Sequence, residues 1–361
     1  MPTELAWTRP ASSRSTIAST RILRLAFGTA LSLWISQAVG WSISYIAPVL
    51  TMFLLAMPMS RPKPRFFLVV VLALAVSVYG SFLFLPLLLH QKLVGILLLS
   101  LALFHSFYFT ARGGTAVVGT LITIGLALTV AVGSVSVDAL LGVASGLMFG
   151  AVAGVSVAGL CHLLIRDPVQ DESVASKSAA EPEAVAETDN ATAAHNAFRS
   201  LAIVAPIILW FLLSGGSASN MAVMIKVAAM GQEVSKQSTR DAAKSLIIST
   251  LAGGVAAMIA WQLLSIWPSL LLYVLLIAFA GLVFGQRIFA GGGLRHDAAT
   301  WSYAFLTMII VLAPAVLDSN SGSNADARFY DRLLMFIWAT VYGVGAVYVF
   351  DAFWPNKKAA H

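Results

Sequence analysis

Long apolar stretches, interrupted at short intervals by arginine, lysine, glycine or proline, set the pattern of this 361-residue chain. A membrane-spanning helix needs about 20 apolar residues, and shorter stretches cross only when tilted, broken or shielded by neighbours. The pattern predicts twelve spans. In the first half they fall at 22–40, 42–59, 65–86, 92–110, 114–132 and 137–165. In the second they fall at 198–214, 217–231, 241–264, 268–285, 299–317 and 329–354. The second span is interrupted by Pro48, and the eighth is short and carries Lys226.

Three arginines at the edges of apolar stretches, Arg24, Arg65 and Arg112, recur 175 positions later as Arg199, Arg240 and Arg287. Six spans return each half to its starting side, so the halves read as parallel repeats related by an axis along the membrane normal. Beyond Arg112 the offset widens, because the loop at 286–298 is longer than its counterpart around Gly113 and Gly114. The expected fold class is an all-α polytopic integral membrane protein, with about twelve transmembrane segments in two parallel six-span repeats.

Composition moves the same way. Hydrophobic residues make up 59% of the chain and charged residues 11%, with a mean hydropathy of +0.86. Soluble domains carry about a quarter charged residues, so the bilayer is this chain's main solvent.

Lys and Arg collect in short cytoplasmic loops. With a cytoplasmic N-terminus, only Lys92, Lys226, Arg328 and Arg332 of the 22 basic residues fall off the cytoplasmic side. That distribution requires an even number of spans and places both termini in the cytoplasm. Arg9, Arg14 and Arg21 ahead of an apolar run that ends in Ala38-Val39-Gly40 imitate a signal peptide. The matching segment at 198–214 is internal, so the first span reads as a retained helix. Cys161 is the sole cysteine, which excludes an intramolecular disulfide.

Between 167 and 197 the composition changes abruptly, to seven acidic residues, one lysine and no aromatic residue. Such a segment buries too little apolar surface to offset its ordering entropy, and it reads as a flexible cytoplasmic linker. The organisation is then a tail at 1–20, a membrane repeat at 21–166, the acidic linker at 167–197, a second repeat at 198–355 and a tail at 356–361.

No G-x-S-x-G, Walker P-loop, H-E-x-x-H, G-x-G-x-x-G or C-x-x-C motif occurs, and no pair of the six histidines has metal-ligand spacing. The sequence therefore predicts no enzyme, no cofactor, no metal and no nucleic-acid partner. The longest polar stretch is too short for a nucleotide-binding domain, so transport energy must come from an ion gradient, the substrate's own gradient or a separate protein.

Lys226 lies mid-span in Met221-Ala-Val-Met-Ile-Lys-Val-Ala-Ala-Met230. A cation at the bilayer centre costs about 2 to 3 kcal/mol, so it faces protein or water and needs a partner. Two readings stand: an anion site, or a lysine snorkelling from a short helix. Upstream, Ser214-Gly-Gly-Ser-Ala-Ser-Asn220 is suited to opening a helix whose free N–H groups attract a carboxylate. It fits an external hairpin equally well. Its first-half counterpart, Gly40 to Pro48, contains Ser44 and a proline that breaks the predicted span. Lys226, Asn220, Ser44 and Pro48 are thus the candidate substrate-binding residues.

Glu233 fits a proton relay or a boundary ion pair with Lys236 or Arg240, and His105 is the histidine placed to titrate within a span or to bond within the core. Arg65, Arg112, Arg240 and Arg287 read as topology determinants or as a basic vestibule. Asp138 and Asp351 fit capping and interfacial anchoring.

With these residues in place, the chain resembles the fusaric acid resistance-like group, which includes the aromatic acid exporters and, more distantly, plant aluminium-activated malate channels. It is most similar to the bacterial branch known as domain of unknown function 2955. The resemblance rests on Leu23-Arg-Leu-Ala-Phe-Gly-Thr-Ala30, Met57-Pro-Met-Ser60 and Arg65 in the first half. In the second it rests on Arg240, Ser249-Thr-Leu-Ala-Gly-Gly254, Arg328-Phe-Tyr-Asp-Arg-Leu-Leu334 and Trp354-Pro355. Two departures stand out: the family's Arg-x-x-Gly-Thr pattern is missing after Arg65, and a short acidic linker replaces the exporters' large cytoplasmic domain. The resemblance implies an inner-membrane transporter or efflux component for small organic acids, aromatic ones included. It also implies a periplasmic membrane-fusion adaptor and a homo-oligomer as candidate partners. An anion channel and a non-transporting scaffold of an export assembly remain the alternatives.

Overall fold

The computed structural model describes residues 11–41, 43–59, 62–133, 136–167, 190–214, 221–234, 238–290, 293–320 and 324–354. The first half comprises α1 (Ala11–Val39), α2 (Ile46–Ala56), α3 (Pro64–Ser81), α4 (Phe84–His90), α5 (Lys92–Ala111), α6 (Ala116–Gly133) and α7 (Val137–Leu164). The second comprises α8 (Asn190–Ser214), α9 (Met221–Val234), α10 (Thr239–Ile266), α11 (Leu270–Ile288), α12 (Ala298–Asn320) and α13 (Ala325–Phe353). A two-residue antiparallel ribbon, β1 (Phe289–Ala290) with β2 (Gly293–Leu294), fills the longer loop between α11 and α12. The chain is an all-α polytopic membrane protein. Among the described residues nine helical stretches are long and apolar enough to cross a bilayer, α3 and α4 counting as one.

Local signals explain many boundaries. Pro64 opens α3 at a position where the missing N–H is not needed. Ser136, Ser238 and Ser269 cap α7, α10 and α11 by accepting the N–H of Ala139, Asp241 and Leu272. The helix starts at Ile46 and Met221, and at Pro64 and Thr239, keep the 175-residue spacing of the arginines.

The stretches at 42–59 and 217–231 do not form full helical spans. Helix α2 has 11 residues and α9 has 14, which at 1.5 Å per residue is about 17 and 21 Å against a hydrocarbon core of about 30 Å. Pro58 explains where α2 stops, because a residue before proline is pushed out of the helical region, and Met57 is extended. Pro48 does not break that helix. It occupies the third position of α2, within the first turn, where a backbone N–H would have no intrahelical acceptor and its absence in proline costs nothing.

Both short helices are enclosed by protein. Every residue of α2 is buried, as is every residue of α9 from Ala222 to Val234. Long helices surround them: α2 packs on α1, α7 and α12, while α9 packs on α5, α6, α8, α10, α12 and α13. The halves also cross over one another, with α1 against α11 and α8 against α5. Close approach depends on missing side chains at two places. A Cβ on Gly281 would sit 2.7 Å from Ala26 Cα, and one on Gly253 would sit 2.3 Å from the Ala304 carbonyl oxygen and 2.6 Å from Thr307 Cβ. Outward faces carry exposed Leu97, Phe149, Phe279 and Trp338, which are suited to lipid.

Residues 168–189 of the acidic linker lie outside the described residues, as do residues 1–10 and 355–361. The linker's flanks are structured: Asp167 is fixed by ion pairs, and Asn190 to Ala197 form the first two turns of α8. Ala193 and Ala197, one turn apart, are fully buried, which ties this polar segment to the bundle. Residues 11–20 are likewise helical, extending α1 below the predicted span.

Candidate anion and proton site

Lys226 and Glu233 are seven residues apart on α9, so two helical turns separate them on one face of the helix. Both are interior residues, at 2% and 3% exposure. Lys226 Nζ donates to Thr307 Oγ1 at 2.9 Å, and that hydroxyl donates to the Tyr303 carbonyl at 2.8 Å. Its hydrogen is thus committed, and a lone pair faces the ammonium. Thr307 is the one hydrogen-bond partner of Lys226 among the described residues, although an ammonium has three donors. This burial leaves no room for the snorkelling reading.

Glu233 Oε1 accepts from Ser245 Oγ of α10, and Ser245 Oγ lies 2.6 Å from Thr300 Oγ1 of α12. Because Ser245 gives its hydrogen to the carboxylate, Thr300 is the donor to Ser245. Oε2 is buried with no hydrogen-bond partner, and Glu233 makes no ion pair among the described residues. The boundary pair with Arg240 is absent, since Arg240 is exposed and Glu233 is enclosed; Lys236 lies outside the described residues. Thr300 and Thr307 are also seven apart, so α9 and α12 meet at two matched rungs, running antiparallel. Tyr303 lies between the rungs and meets Phe53 of α2 edge-on, with ring centroids 6.2 Å apart.

The other sequence candidates do not join this group. Asn220 and the preceding stretch from 215 lie outside the described residues. Ser44 is buried and accepts from Gln37 Nε2 at 3.1 Å, beyond the N-terminal end of α2. Pro48 is buried in the first turn of α2, next to the backbone contact of Ala47 with Gly154. Neither Ser44 nor Pro48 shares a hydrogen bond with Lys226. His105 is exposed on α5, with Nδ1 2.8 Å from the Leu101 carbonyl, so it is not a core residue. Arg65, Arg112, Arg240 and Arg287 are all exposed. Arg112 lies over Tyr108 at 5.8 Å and Arg287 over Trp301 at 5.0 Å, as expected of cations at an aromatic interface. An apolar groove of about 570 Å³ between α8 and α13, bordered by Ile203, Tyr342, Phe350 and Trp354, contains none of the candidates.

Sequence reasoning missed the buried arginines. Arg24 pairs with Asp167, to which Arg21 also lies at 3.6 Å, joining α1 to the end of α7. Arg199 of α8 pairs with Asp351 of α13 at 2.6 Å and donates to the Val234 carbonyl at 3.2 Å, and Thr239 also donates to Asp351. This second clasp therefore grips the C-terminal end of α9, beside Glu233. The available signal was depth: Arg24 and Arg199 lie inside helices, whereas Arg65, Arg112, Arg240 and Arg287 sit at or near helix ends.

Comparison with known proteins bears on the first half. Residues 21–161 match a family described as protein of unknown function (DUF2955). The DUF2955 match runs from the buried Arg21 to Cys161 near the end of α7, taking in α2 but not α9. Lys226 and Glu233 therefore lie outside the matched segment. No curated protein and no solved structure matches the chain.

Proposed function

We propose that the chain carries a small organic anion across the bacterial inner membrane, with both termini in the cytoplasm, and acts as a transporter driven by an ion gradient rather than as an enzyme. One observation carries this reading. Lys226 is an interior cation with one neutral hydrogen-bond partner and no ion pair among the described residues, on a helix wrapped by protein on all sides. A buried charge that no carboxylate of its own chain contacts directly fits a site that a ligand of opposite charge completes. A carboxylate bound there would receive the two N–H groups that Lys226 does not use. Small neighbours, Ala222, Ala228 and Ala229 on the same helix, leave the ammonium as the dominant recognition group. Aromatic acids, a periplasmic adaptor and self-association belong to this proposal through the family resemblance alone.

The test uses the purified full chain in proteoliposomes, with uptake of labelled terephthalate and malate, which stay ionised above pH 6, measured with and without an imposed pH gradient. Wild type should accumulate at least one of them, and Lys226→Gln should abolish accumulation at normal expression. Equal uptake by the variant would overturn the proposal. Equilibration independent of the gradient would favour the channel alternative instead.

A further inference from the structure

The two charges of α9 also determine how a proton and an anion influence each other, a step that rests on reading Lys226 as the anion site. We propose that Glu233 is the proton site and that proton and anion bind together, so that both cross the membrane in the same direction.

The argument begins with position. Two helical turns separate the backbone positions of Lys226 and Glu233 by about 10 Å along the axis; their side chains form no ion pair, yet each lies within the other's field. An anion on Lys226 is attracted by the ammonium and repelled by an ionised Glu233. At an effective dielectric near 20, a unit charge about 10 Å away changes affinity about tenfold. Protonation of Glu233 removes the repulsion, so the anion binds about tenfold more tightly to the protonated site. Binding linkage is reciprocal, and the bound anion strengthens proton binding by the same factor. Proton–anion exchange would require the two to compete for one group. Here the anion needs Lys226 charged and Glu233 neutral, both of which are proton-rich states.

Geometry supplies a route for the proton. Thr300, at the first turn of α12, donates to Ser245, and Ser245 donates to Glu233 Oε1. A proton arriving on the Thr300 oxygen displaces that hydroxyl's hydrogen to Ser245, whose own hydrogen passes to the carboxylate. One O–H bond forms and one breaks at each hydroxyl, and the charge ends on Glu233 as neutralisation. Buried Oε2, without a donor, leaves the ionised form incompletely solvated.

Other charged or titratable groups around Glu233 are few. Tyr303 of α12 is the nearest phenol and is in electrostatic contact with it. Arg199 of α8 and Asp351 of α13 are paired with each other beside Val234. Arg240, Asp241 and Lys244 of α10 are exposed in its first two turns. Lys92 and His105 of α5 and Arg112 just past its end are exposed, and α6 brings only hydroxyls, including Thr120 and Thr123. Lys226 is therefore the lone interior charge on the same face.

The experiment is equilibrium binding of labelled terephthalate and malate to the detergent-solubilised full chain between pH 6 and pH 9. Wild-type affinity should fall about tenfold as pH rises. Glu233→Gln, which mimics the protonated carboxyl, should bind more tightly than wild type wherever Lys226 is charged and should vary with pH only through Lys226. Ser245→Ala removes a donor to the ionised form, so its affinity should persist to higher pH than in wild type. Wild-type affinity that is flat or rises with pH, or Glu233→Gln binding no tighter than wild type at any pH in that range, would overturn the inference alone. Binding that survives Lys226→Gln, or an absence of wild-type binding, would overturn the anion site and this inference with it.

Discussion

Replacing Lys226 with methionine separates function from architecture. A lysine kept for the fold should stabilise the protein, whereas one kept for a ligand should be a burden in the ligand-free state. The ammonium at this depth costs about 2.5 to 3.5 kcal/mol by insertion measurements, against about 1.5 to 3 kcal/mol returned by a hydrogen bond to a charged donor. Methionine keeps the length and apolar stem of lysine and adapts to irregular cavities. The substitution leaves no orphaned donor, because Thr307 still gives its hydrogen to the Tyr303 carbonyl. Glu233 loses a charge two turns away, and a carboxyl can shed its own charge by taking a proton. The balance is a gain of about 1 kcal/mol, or roughly 1 to 2 °C in melting temperature for a chain of this length. Thermal unfolding in detergent and terephthalate or malate uptake in proteoliposomes would be measured on the same preparations. Lys226→Met should melt at or slightly above wild type and transport nothing. A fall of several degrees would show that the lysine holds the bundle together, and the argument from a cation without an ion-pair partner would fail.

Three further outcomes are expected. Arg199→Ala should cost about 3 to 5 kcal/mol, because it leaves Asp351 and the Val234 carbonyl without the guanidinium, whereas Arg240→Ala at an exposed site should stay within about 0.5 kcal/mol; paired melting curves decide it. Gly253→Val should cost about 1 to 3 kcal/mol and weaken anion binding, since the new side chain meets the Ala304 carbonyl and Thr307 and forces α10 away from α12; equal stability and affinity would refute the close-packing account. His105→Ala should leave transport and its pH profile unchanged, because the ring faces outward on α5; an altered profile in the uptake assay would bring His105 back as a coupling residue.

What could be read from the chain was set by which residues break an apolar pattern. Lys226 does so, and a buried cation is legible wherever it interrupts such a run. Thr307, Ser245 and Thr300 do not, because hydroxyl residues are common in spanning helices, where they bond back to a carbonyl one turn earlier. Thr51, Thr110 and Thr120 do that here, and no sequence feature separates them from Thr307, which does the same and also receives the ammonium. Arg24 and Arg199 were visible as repeated cations but read as edge charges, since their acidic partners lie 143 and 152 positions away. Pro48 was taken for a break because nothing in the sequence marks Tyr45 as a helix boundary, and its side chain makes no capping bond.

The two enclosed helices share a frame without sharing chemistry. They begin 175 positions apart, yet the position of Lys226 corresponds to Thr51 in α2, and that of Glu233 corresponds to Pro58, beyond the end of α2. Thr51 satisfies its hydroxyl on the Ala47 and Gly154 carbonyls at 2.8 and 3.1 Å, fixing α2 against α7. With an apolar helix of that kind, one half can pack as a rigid counterpart, its glycines Gly150 and Gly154 lying directly against Ile46 and Ala47. On the other side, α9 carries both charges and meets six helices, and the Arg199–Asp351 clasp grips its end. Any movement that exposes Lys226 must loosen that clasp or slide α12 along α9, because Thr307 and Thr300 hold the two rungs together. The asymmetry is what the proposed anion site requires: both interior charges, Lys226 and Glu233, lie on α9 in the second half, while α2 packs as an apolar helix on α1, α7 and α12.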